Sequence, residues 1–189
     1  MLSVKNNTNT IIIKNSKFIT IIYQIDNIEE IDKYLKEVKN QYKNATHYCY
    51  AYILDSTSKC SDDGEPSGTA GIPMLEILKK NNLDHVLCIV VRYFGKILLG
   101  AGGLVRAYSR SVKECLENNI IELKEGLNIK ITFSYNNLKK IDYILNNCII
   151  NKKTYNKDII YDINITKEKY NELTNSNICT IEIIKSIYI

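Results

Sequence analysis

The stretch DHVLCIVVRYF at 84–94 limits the fold more than any other part of this chain. Residues 86–91 are apolar without interruption, so a strand built from them has no face suited to water. Such strands sit centrally in a sheet that is covered on both sides. The run is strand-sized and far too short to span a bilayer. A glycine-rich turn, GKILLGAGG at 95–103, follows at once. It leads into LVRAYSRSVKECLENN, where Val105, Tyr108, Val112, Cys115 and Leu116 recur at helical spacing and predict the buried stripe. Arg106, Arg110 and Lys113 share a neighbouring stripe.

The segments before this unit supply the rest of a mixed sheet with helices. TIIIK and KFITIIYQI predict a hairpin of β-branched strands turning at Asn15 and Ser16. Asn27 followed by Glu30 resembles a capping box opening a helix, with Ile28, Ile31, Leu35, Val38 and Tyr42 on its apolar side. HYCYAYILD (47–55) reads as a strand with His47, Cys49, Ala51 and Ile53 on one face and Tyr48, Tyr50, Tyr52 and Leu54 on the other. Residues 56–70 read as a loop, after which Pro73 suits the first turn of a short helix.

The character changes near 122–126. Beyond it the order is strand (127–135), helix (138–147), strands (149–155 and 158–166), helix (167–174) and strand (178–188), a βαββαβ series of the ferredoxin-like kind. Arginine is absent from this half. The expected organisation is α+β, with domains at 1–124 and 125–189. A hydrophobic fraction of 45% suits packed cores, and a net charge of +4 is too mild to advertise nucleic-acid binding by itself. The N-terminus lacks the apolar region of a secretory signal. The six cysteines form no CxxC pair, which predicts reduced thiols and a cytoplasmic protein with no membrane contact.

Two loops carry the unusual chemistry. SDDGEPSGTAG (61–71) places Asp62, Asp63 and Glu65 ahead of Ser67 and Thr69. These oxygens suit a hard cation, and equally suit hydrogen bonds to backbone amides at turns and caps. The second loop presents Gly100, Gly102 and Gly103 at a helix entrance flanked by Arg92, Lys96 and Arg106. Free first-turn amides and the helix dipole favour an anion there, while a tight turn packed on the sheet is the alternative. Tyr48, Tyr50 and Tyr52 suit either base stacking or packing against another element. Arg106, Arg110 and Lys113 suit either a phosphate-contacting stripe or an ordinary solvated helix face. No nucleophile elbow or metal-ligand spacing is present, so no catalytic residue, metal or cofactor is assigned.

SDDGEPSGTAG, VVRYFG, LLG and GGLVRAY, preceded by ATHYCYAY, together resemble the signature of the IMPACT/YigZ family over about residues 45–110, and the flanking patterns are similar to its bacterial two-domain form. The chain departs from the family at Lys96, where a glycine is usual, at Ala101, where threonine is usual, and at Tyr48, which replaces a second histidine. The resemblance implies an N-terminal domain like the second domain of a small-subunit ribosomal protein and a C-terminal domain like the last domain of elongation factor G. It also implies a binding module in translation regulation that engages RNA, the ribosome or a translation-associated protein, without DNA sequence specificity. The anion- or partner-binding set is then Asp62, Asp63, Glu65, Ser67, Thr69, Arg92, Lys96, Gly100, Gly102, Gly103, Arg106 and Arg110. The alternative is a metal-assisted hydrolase or other enzyme acting on a small phosphorylated or carboxylated substrate. Either reading needs the two loops to meet in one pocket; loops on opposite sides would leave two turns and no site.

Overall fold

The computed structural model describes residues 1–55 and 57–189; the predicted loop's first residue, Ser56, lies outside the described residues. The chain divides into two compact units, Met1–Glu122 and Leu123–Ile189, each with its own core.

The first unit is built on a five-stranded sheet. Its strands are β2 (Asn7–Ile13), β3 (Ser16–Gln24), β4 (His47–Leu54), β5 (Thr57–Ser61) and β6 (Val86–Tyr93), arranged β2-β3-β6-β4-β5 with every neighbour antiparallel. A small ladder joins β1 (Leu2–Val4) to β7 (Ile120–Glu122). Helix α1 (Ile28–Gln41) lies on one face of the sheet; α2 (Gly71–Lys80) and α3 (Ala101–Leu116) lie on the other.

Strand β6 is central and divides its apolar side chains between two cores. Val86, Cys88 and Val90 pack with α2 and α3, whereas Leu87, Ile89 and Val91 pack under α1. The same alternation places Tyr48, Tyr50 and Tyr52 under α1, beside Tyr34, Leu35 and Val38. These tyrosines are therefore a covered packing surface and not an open stacking platform.

Several local expectations shift. The first hairpin turns at Lys14 and Asn15, not at Asn15 and Ser16; both residues have positive φ, which matches the right-handed twist of the strands they join. Residues 57–61 form edge strand β5 where a loop was expected. Ile28 is exposed although it fits the predicted stripe of α1. In α3 the buried face runs through Leu104, Ala107, Tyr108, Ser111, Val112 and Cys115, which leaves Val105 on the outer side.

The second unit contains β8 (Glu125–Phe133), a 3-10 turn (Tyr135–Asn137), α4 (Leu138–Ile144), β9 (Ile149–Tyr155), β10 (Ile159–Thr166), α5 (Lys167–Ser176) and β11 (Thr180–Tyr188). Its antiparallel sheet runs β11-β8-β10-β9, so each βαβ half carries one inserted strand, as the ferredoxin-like pattern requires. Ile129, Ile131, Ile159, Tyr161 and Ile163 form its core with Ile141 of α4 and Leu173 of α5.

All six cysteines are free. Among the described residues, no helix is long and apolar enough to cross a membrane.

Candidate functional site

Register alone starts the site. His47 on β4 pairs with Arg92 on β6, and Arg92 pairs with Phe18 on β3, forming one row across the sheet. Phe18 lies in the core shared with α2 and α3. The acidic loop folds over this row. Asp62 shapes it: one carboxylate oxygen accepts from the amides of Ala70 (3.0 Å) and Gly71 (2.8 Å), the other from Gly68 (2.8 Å). These bonds cap the start of α2, where Ala70 supplies no side-chain cap. Burial pushes the Asp62 carboxyl upward, but the three N–H donors outweigh it and hold the group below its ordinary 3.8. Asp63 accepts from the Tyr48 amide at 2.7 Å, and its carbonyl lies 2.9 Å from His47 Nδ1. Thr69 bonds the Pro66 carbonyl at 2.7 Å.

Glu65 behaves differently. It turns inward, with its side chain 2% exposed, and one oxygen sits 2.6 Å from Arg92 Nη1 and 2.8 Å from the Tyr108 hydroxyl. Its other oxygen faces His47 Nε2 at 3.8 Å. Arg92 is itself 5% exposed and lies within cation–π range of Phe18 and Phe94, with ring centres 5.4 and 5.5 Å away. Its Nη2 reaches Ser16 Oγ at 3.4 Å, while its Nε has no hydrogen-bond partner. Burial, followed by Cys49 and Glu65, pushes the Tyr108 phenol up, so it remains a donor to Glu65. Cys49, 3.3 Å from that phenol, is pushed up to about 12 chiefly by burial and stays a thiol.

The glycine-rich segment closes the other side. The Phe94 amide donates to Thr46 Oγ1 at 3.0 Å and the Gly95 amide to Ser16 Oγ at 3.1 Å. A Cβ on Gly95 would come within 2.0 Å of the Asn15 backbone, so no other residue fits there. Gly100, at φ 70°, opens α3 without a side-chain cap. Between the two loops lies a cavity of about 360 Å³. Its surface is almost wholly apolar: Phe94, Leu98, Leu99 and Leu104 line it together with Thr46, His47, Glu65, Pro66, Arg92, Gly100 and Ala101, whose polar atoms are turned away from it.

The two loops therefore meet, but not as a ring of free cations. Of the candidate set, Glu65, Arg92 and Gly100 line the cavity. Arg92 was expected to hold an incoming anion; instead it is ion-paired with Glu65. Asp62 and Asp63 hold loop and strand amides, which is the hydrogen-bonding member of the two readings that the sequence left open. Arg110 is paired with Glu114 on its own helix at 2.7 Å. Ser67, Lys96, Gly102 and Arg106 are exposed outside the lining, and Gly103 and Thr69 support the loop backbones. Among the described residues, no three His, Cys, Asp or Glu side chains are grouped to share a metal ion. Sequence reasoning missed Tyr108 as a polar member of the site, and Phe94 and Leu98 as its rim. Paired leucines inside a glycine-rich turn were the signal for the rim.

The Impact N-terminal domain family matches residues 14–116, a span that holds every residue lining this cavity. The chain belongs to the IMPACT family. It is 40% identical over 171 residues to the IMPACT family member YvyE of Bacillus subtilis (strain 168), covering 88% of this chain and 77% of that relative. It is 36% identical over 142 residues to the IMPACT family member YigZ of Escherichia coli (strain K12), covering 72% and 70%. A crystal structure described as that of a hypothetical protein is similar over 97% of both chains, with a TM-score of 0.61 and 28% identity. The IMPACT match ends with α3, and the second unit follows it.

Proposed function

We propose that this IMPACT-family chain is a binding module in translation regulation, and that it docks a translation-associated protein over the cavity between its acidic and glycine-rich loops. One observation carries the reading: the rim of the cavity is apolar and open to solvent. Leu98 is 81% exposed and Phe94 43%, with Ile97 next to them in sequence at 44%, while Glu65 and Arg92 among the lining residues are already paired with each other. Exposed apolar residues around a concave centre suit a protein partner. A phosphate backbone calls for uncommitted cations at the pocket; Arg92 and Arg110 each already have a carboxylate, and the exposed Lys96 and Arg106 lie outside the lining. A cytoplasmic location and likenesses of the two units to ribosomal-protein and elongation-factor domains belong to the same proposal.

The test is cosedimentation with ribosomes and their associated factors across salt concentrations, beside a reconstituted translation reaction. Docking through the rim predicts weak salt dependence, and an effect on translation that Phe94→Ser with Leu98→Ser removes. An interface of six to ten phosphate contacts would instead lose about a thousandfold or more in affinity between about 50 and 200 mM salt. That result, or a translation effect indifferent to both rim substitutions, refutes docking at this surface.

A further inference from the structure

We propose that the second unit carries a docking groove of its own, between α4 and the end of α5, which takes an acidic protein segment bearing a large apolar side chain. This goes beyond docking at Phe94 and Leu98 and does not depend on it. The groove has a volume of about 540 Å³. Lys139, Lys140, Tyr143 and Ile144 of α4 line it, with Ser176 and Ile178 where α5 gives way to β11. Its surface is mostly apolar. Ile144 and Ile178 are the half-buried margin of this unit's core, and Tyr143 stands 80% exposed beside them. An aromatic ring left open at the edge of an apolar hollow suits a protein contact.

Charge decides the kind of guest. Two cations and no carboxylate line the groove. Among the described residues, the ion-paired lysines of this unit are Lys153, Lys167 and Lys169, so Lys139 and Lys140 keep their charge uncommitted. Asp142, the closest acid in sequence, is engaged elsewhere: it accepts from the Tyr161 hydroxyl at 3.1 Å and pairs with Lys153 at 3.6 Å. The last turn of α5 calls for no cationic guest either. Ser176 Oγ donates to the Leu173 carbonyl at 2.6 Å and the Asn177 amide to that of Thr174 at 3.3 Å. Lysine stems can lie along apolar surface while their ammonium heads stay in water. A guest therefore sets an apolar side chain against Tyr143, Ile144 and Ile178 and its carboxylates at the two lysines. A phosphate backbone would leave the apolar hollow unfilled, and two neighbouring lysines give it a short footing.

The experiment uses the full chain, isotopically labelled, and follows amide shifts by nuclear magnetic resonance. The probes are the peptide acetyl-Asp-Glu-Leu-Phe-Glu-Asp-amide, the same peptide with lysine at its four acidic positions, the same peptide with serine at its two apolar positions, and hexauridylate. The acidic peptide is expected to shift the amides of Tyr143, Ile144 and Ile178 and to bind more tightly than the other three. Lys139→Ala with Lys140→Ala should weaken it about five-fold, the scale of two exposed charge pairs, and the loss should shrink as salt rises. Tyr143→Ser, at an exposed position, should weaken it at every salt concentration.

Equal binding of the acidic and lysine-bearing peptides overturns the choice of an acidic guest. Equal binding of the serine-bearing peptide overturns the apolar anchor. Tighter binding of hexauridylate overturns the proposal in favour of a nucleic acid, and unmoved amides at Tyr143, Ile144 and Ile178 with millimolar acidic peptide overturn it altogether. None of these results bears on the first unit, where a translation effect sensitive to Phe94 and Leu98 would still uphold docking. An effect indifferent to those two residues would leave the groove standing.

Discussion

At the scale of single residues, the acidic loop shows how neighbouring side chains of one chemical type take unrelated roles. Asp62 organises amides, Asp63 ties the loop to β4, and Glu65 turns into the core to meet Arg92 and Tyr108. Replacing Arg92 with Leu leaves the Glu65 carboxylate buried without its cation, so a loss of about 3–5 kcal/mol is expected in urea unfolding. Tyr108→Phe removes one donor from the same carboxylate and should cost about 1–3 kcal/mol. Asp62 contributes to acid behaviour. Its carboxyl is held below 3.8 in the folded chain, so the stability it adds is fully present above that value and disappears as pH falls through the folded one. Asp62→Asn should therefore flatten the acid limb of a stability–pH curve, measured by chemical unfolding at stepped pH. The sequence made this loop conspicuous by its composition. It did not show which carboxylate turns inward, because an irregular turn lacks the periodicity that assigns faces in helices and strands.

At the scale of elements, legibility followed periodicity and local chemistry. Asn27 caps α1 by accepting from the Glu30 amide at 3.0 Å, while the Glu30 carboxylate reaches back to the Asp26 amide at 2.7 Å. Asn27→Ala should lower stability by about 1 kcal/mol, read from the thermal midpoint. The central position of β6 was equally plain from its unbroken apolar run. Strand β5 was not, because TSKCS has little strand character of its own and depends on the β4 ladder beside it. The error in the phase of α3 has a comparable cause. Its buried face includes the small residues Ala107 and Ser111, which a search for bulky side chains passes over. The pocket's rim was hidden for another reason: Leu98, the most exposed of the large apolar residues, sits in an irregular turn with no period to assign it a face.

At the scale of the molecule, the βαββαβ order of the second unit was readable because each element has its own period. The sheet order β11-β8-β10-β9 came only with coordinates, since strand neighbours are chosen by tertiary packing. The separate cores predict that a chain ending at Glu122 unfolds cooperatively, and that one ending at Leu116, where the family match stops, is less stable because β1 loses β7. Calorimetry of the two truncations checks this. The clash that forbids a side chain at Gly95 has a practical corollary for protein engineers. The turn at Lys14 and Asn15 acts as a backstop for the loop bearing Phe94 and Leu98, and Ser16 bolts that loop to the hairpin. Anyone transplanting this binding loop onto a new scaffold must carry the distant hairpin tip along with it, because the two form a single cassette although about eighty residues of chain separate them.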